Sequence, residues 1–159
     1  QLSEATDGAY ADVVIIDTKG ADPRDPLVAS GLIAADFVLP VLIPEPAQLD
    51  GIARVVRAVH DFNSDGVSAA QVLPPLVNQF PHANQGRKAA KVAEKLLTIA
   101  NVPLTRSRIH AWSDVRMAQA EHVPVIVHAP KSKAANEYRD LADELAVAMG
   151  MAATAEEAM

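Results

Sequence analysis

The sequence predicts an α/β protein: a parallel sheet with helices on both faces. Three observations predict it. Short apolar runs of strand type recur along the chain, amphipathic stretches of helical period alternate with them, and the alternation continues through nearly all of the 159 residues. Half of the residues are hydrophobic, which suits one compact domain over residues 1–150 with a substantial core.

The elements follow in order. Ala11 to Asp17, ADVVIID, is a continuous β-branched run ended by Gly20 and Pro23, as expected of a strand buried on both faces with Asp17 at its carboxyl end. Pro26 to Ala35 suits a helix, with Asp25 as cap and Pro26 as first helical residue. Phe37 to Ile43 reads as a second buried strand, interrupted by Pro40. Leu49, Ile52, Val55, Val56 and Val59 recur at helical spacing, predicting a helix over Pro46 to Phe62 that ends near Asn63 and Gly66. Val72 to Val77 is the third strand. From Asn84 the pattern turns helical, with one apolar and one basic face. Arg106 to Ala111 is a short strand candidate, Ser113 to Glu121 a capped short helix, and Val123 to His128 a weak strand or extended segment. Ser132 caps the last helix, which runs to Met149, and the tail over 151–159, MAATAEEAM, is expected to fray.

Composition excludes several classes. The chain has no cysteine, so thiolate catalysis, disulfides and cysteine-ligated metal are ruled out. No apolar run approaches the roughly 20 residues of a membrane-spanning helix, and the reading is a cytoplasmic protein with no membrane partner. A formal charge of −6 means that a polyanion would have to be met by a local patch. The five histidines show neither a pair at i, i+4 nor an HExxH pattern, so no protein-ligated metal is expected; no serine sits in a G-x-S-x-G elbow. Gln1 opens the chain only about ten residues before the first strand, as expected of a fragment.

Three segments carry a resemblance. VVIIDT resembles the second nucleotide motif of the ParA/MinD branch of P-loop ATPases, a buried strand ending in Asp-Thr. AADFVLPVLIPEPAQLDGIARVV is similar to that family's strand-Pro-x-Pro-helix segment, and APKSKAANEYRDLADEL to its closing turn and helix. The likeness covers nearly everything from Ala11 to Met149 and implies the carboxy-terminal half of a ParA-type partition ATPase, P-loop NTPase-like in fold but lacking the amino-terminal P-loop strand. Nothing of the form GKGGxGKT occurs, so this chain has no stacked N–H groups or lysine to cradle phosphates and alone should neither bind ATP tightly nor hydrolyse it.

The resemblance implies ATP and Mg²⁺ as cofactors of a complete protein. It gives Asp17 the role of catalytic carboxylate holding a Mg²⁺-bound water, with Thr18 as companion; Lys19 stands where relatives usually have proline. Asn78, directly after the third strand, would meet the adenine edge, its alternative being an ordinary strand-ending asparagine. His110, Ala111 and Trp112 occupy the loop that wraps the base in relatives, without the usual Pro-Arg; Trp112 either stacks on the base or serves the core. Arg87, Lys88, Lys91 and Lys95 share one helix face at spacings of three and four, as a solvated face or as a contact to nonspecific DNA. Arg116, Lys131 and Lys133 form a second basic set. The implied partners are nonspecific DNA, a second copy in a homodimer, and a ParB-like or other cargo adaptor. Two rivals remain: a non-catalytic module that regulates an intact relative, and a MinD-like positioning ATPase, against which the small acidic tail counts.

Overall fold

A computed structural model describes residues 13–20, 22–81, 91 and 103–151. The elements are α1 (Pro26–Ala34), β1 (Phe37–Val38), β2 (Val41–Leu42), α2 (Pro46–Ser64), β3 (Gln71–Val72), β4 (Leu76–Phe80), β5 (Arg108–His110), α3 (Ser113–Ala120), α4 (Val125–His128) and α5 (Lys133–Ala148). Among the described residues every strand pairing is parallel, so the predicted α/β character holds.

Prolines cut the second and third of the predicted strands. Pro40 separates β1 from β2, and Pro74 and Pro75 separate β3 from β4, because proline offers no N–H to a ladder. The first halves pair with each other, Phe37 opposite Gln71 and Val38 opposite Val72. The second halves pair as Val41 with Leu76 and Leu42 with Val77, within a three-stranded sheet of order β2-β4-β5. The chain divides into two compact units at these same prolines: the described residues up to Pro40 with Asp50–Leu73, and Val41–Leu49 with the described residues from Pro74 onward.

In the first unit, Val28 and Leu32 of α1, Val38 of β1, Val59 of α2 and Ala70 form one buried cluster. Asp25 caps α1 as predicted, its Oδ1 accepting from Leu27 N–H at 3.1 Å while Lys19 Nζ lies 3.0 Å from Oδ2. The Lys19 bond and the Leu27 N–H together hold the Asp25 carboxyl below its usual range. Helix α2 ends two residues beyond the predicted Phe62, in a left-handed Gly66 (φ 70°) whose N–H reaches Asn63 O while Val67 N–H reaches Phe62 O.

The ADVVIID run departs from expectation. Residues 13–19 join no ladder among the described residues, and Val13, Val14 and Ile15 are 49%, 50% and 87% exposed. Burial on both faces requires neighbouring strands, and none pairs with this run among the described residues. The segment instead lies against α1, where a Cβ added to Gly31 would come within 3.1 Å of Thr18 Cγ2 and 3.3 Å of Ile16 Cγ2.

In the second unit, Ala118 of α3, Val125 of α4 and Ala134 of α5 form a buried cluster flanked by Trp112, Val115 and Tyr138. Burial, with the Glu137 charge beside it, pushes the Tyr138 hydroxyl up. Ser132 caps α5 as predicted, its Oγ accepting from Ala135 N–H at 3.0 Å. Two readings are corrected. Val123 to His128 is not a strand but contains the single-turn helix α4, started by Pro124, whose carbonyl accepts from the N–H groups of Val127 and His128 at 2.9 Å. Helix α3 forms where expected but without the expected cap: Trp112 occupies the cap position and makes no side-chain bond there.

Candidate functional site

The carboxyl ends of β4 and β5 gather the most unusual chemistry among the described residues. Val77 faces Arg108 and Phe80 faces His110, so β4 spends three residues where β5 spends two. The surplus is a bulge, and within it Gln79 takes a left-handed backbone with φ 52°. That conformation costs a non-glycine residue roughly 1 kcal/mol or more. The Asn78 side chain braces it, Oδ1 accepting from Gln79 N–H at 2.8 Å. Asn78 is half-buried, and its amide NH₂ makes no hydrogen bond among the described residues.

The turn after β5 is held by one carboxylate from α5. Glu137 Oε2 accepts from His110 N–H at 2.9 Å and from Trp112 Nε1 at 2.7 Å, and Oε1 lies 2.7 Å from His110 Nδ1. A carboxylate only accepts, so Nδ1 is the protonated ring nitrogen. The His110 ring stands edge-on to Phe80 with centroids 5.4 Å apart, and Arg108 lies 5.0 Å over the Phe80 ring. Sequence reasoning missed Glu137. Its partner one heptad on, Glu144, was missed as well: Oε1 and Oε2 accept from the N–H groups of Arg106 and Ser107 at 2.7 and 2.8 Å. Burial pushes the Glu144 carboxyl up, but the bonds from Ser107 and Arg106 and the Arg106 charge outweigh it and hold it below its usual range.

The other expected residues fall as follows. Asp17 and Thr18 are exposed and belong to the first unit, whereas Asn78, His110 and Trp112 belong to the second. Trp112 is half-buried against Ala118, Val125 and Ala134 with its N–H bound to Glu137, so it serves the core packing. Arg116, Lys131 and Lys133 are exposed, as is Lys91, which is helical. Arg87, Lys88 and Lys95 lie outside the described residues, as do residues 152–159 of the expected tail. No group of three metal-ligating side chains occurs among the described residues.

No protein-family model and no curated protein matches the chain. Asp17 offers an exposed carboxylate, the hard oxygen that a Mg²⁺-bound water takes. Asn78 keeps donor capacity in its NH₂ and a second lone pair on Oδ1, which suits a ring edge presenting an acceptor beside a donor. No helix is long and apolar enough to cross a membrane among the described residues.

Proposed function

We propose that the chain is the carboxy-terminal, P-loop NTPase-like half of a ParA-type partition or cargo-positioning ATPase. In a complete protein it would supply the carboxylate Asp17 on the Mg²⁺ side, the adenine contact Asn78, and a basic surface for nonspecific DNA. One observation carries the reading: Asn78 sits in a strained bulge at the carboxyl end of a parallel strand, beside the braced His110 turn. Parallel sheets bind ligands beyond such strand ends, and backbone strain persists where a site over-determines it. The motif resemblance supplies the choice of nucleotide. A second reading, a non-catalytic module that pairs with an intact relative, draws support from the exposed Val13, Val14 and Ile15.

Trp112, the single tryptophan, provides the test. ATP and adenosine should change its fluorescence in a saturable way, GTP should not, and Asn78→Ala should weaken the adenine response about tenfold, the value of one good hydrogen-bond pair. No response to any adenine compound, or equal responses to guanine compounds, overturns the adenine site.

A further inference from the structure

A groove in the first unit, about 210 Å³ in volume, has Pro23 and Ala58 in its lining, both buried, and three arginines around it: Arg24, Arg54 and Arg57. Arg54 and Arg57 stand one turn apart on α2, where like charges repel unless something negative lies between them. Neither forms an ion pair among the described residues. Arg24 enters from the turn before α1, fixed by its N–H to Asp22 Oδ1 at 2.9 Å and by Asp25 N–H to Asp22 O at 2.9 Å. Two carboxylates share the groove, fewer than its three arginines. Asp22 Oδ1 accepts the Arg24 N–H, and Asp61 makes a long ion pair, 3.8 Å, with the Arg24 guanidinium and stands 4.0 Å from His60 Nδ1, so Arg54 and Arg57 carry the groove's positive charge that is unpaired among the described residues.

We infer that this groove binds a phosphate-class dianion, either inorganic phosphate or a phosphomonoester. Guanidinium forks suit an acceptor with three equivalent oxygens, which several can share, whereas a monocarboxylate engages one fork. The volume falls below the roughly 300 Å³ at which small-molecule pockets begin, so the group held is the phosphoryl head alone rather than a whole nucleotide. The site is independent of the adenine reading, since all its residues lie in the first unit.

Inorganic phosphate titrated into the full chain at constant ionic strength should saturably shift the Nε resonances of Arg24, Arg54 and Arg57 in ¹H–¹⁵N spectra. Phenyl phosphate distinguishes the two sources: tighter binding than inorganic phosphate assigns the site to a monoester, weaker binding to the free ion. Arg54→Gln with Arg57→Gln should lower affinity at least about tenfold, and Arg57→Lys, which keeps the charge but not the fork, should lower it in part. These residues are exposed, so the variants should fold, as circular dichroism would verify. Absence of saturation, an equal response to acetate, or unchanged affinity in the double variant overturns the proposal.

Discussion

Two residues at the strand ends work against the ordinary preferences of their backbone or their surroundings. Gln79 holds a positive φ that glycine adopts without strain. Gln79→Gly should therefore stabilise the chain by about 1 kcal/mol in urea unfolding, the left-handed penalty less the extra entropy that glycine loses on folding. A destabilised variant would mean that the Gln79 side chain supports the bulge. Glu137 satisfies three donors at once, all on the half-buried His110 and Trp112, and these bonds would be lost together. Glu137→Ala should cost about 1–3 kcal/mol and shift Trp112 emission to the red as water reaches the indole N–H. His122 shows the same left-handed geometry for another reason: with φ 55° it closes the carboxyl end of α3, where its N–H reaches Gln119 O and Val123 N–H reaches Ala118 O.

At the scale of elements, β5 is an edge strand among the described residues, and its outer N–H groups would otherwise be open to another chain. Helix α5 closes that edge with two carboxylates, Glu137 and Glu144, seven residues apart and hence on one helix face. The Glu144 carboxyl is depressed in the folded state, so its contribution is fully present above the ordinary carboxylate range near 4.5 and is lost as pH falls through the lowered folded value. Glu144→Gln should remove that part of the acid dependence: the two proteins should differ in urea midpoint at neutral pH and converge at low pH. A constant difference across the titration would show that packing, not charge, holds the contact. The ends of α1, α2 and α5 were legible because local signals set them: Asp25 with Pro26, Gly66, and Ser132. The carboxylate clasp was not. The spacing of Glu137 and Glu144 is visible in the sequence, but which strand a helix face meets is decided by tertiary packing. Helix α4 was illegible for a related reason: VPVIVH has strand composition, and Pro124 with the packing of Val125 selects the turn.

At the scale of the molecule, parallel pairing was legible because strand-type runs alternate with helical periods, and each pairing described is of that kind. Burial of the first run was not legible, since a β-branched run records a preference for being covered and says nothing about what covers it. Val13, Val14 and Ile15 stand 49%, 50% and 87% exposed on a segment that joins no ladder among the described residues. Side chains averse to water therefore coincide with backbone groups open to pairing, the combination that recruits another chain. The net charge of −6 opposes association only weakly at physiological salt, where repulsion is screened beyond about 8 Å. The chain should consequently self-associate with rising concentration in light scattering, and added salt should favour association. Ile15→Lys with Val13→Lys should suppress it by placing charge along the run, while leaving the Trp112 environment in the second unit unchanged. A monodisperse monomer across a wide concentration range would show that the run is covered within the chain. Association undiminished in the double variant would move the contact to another surface.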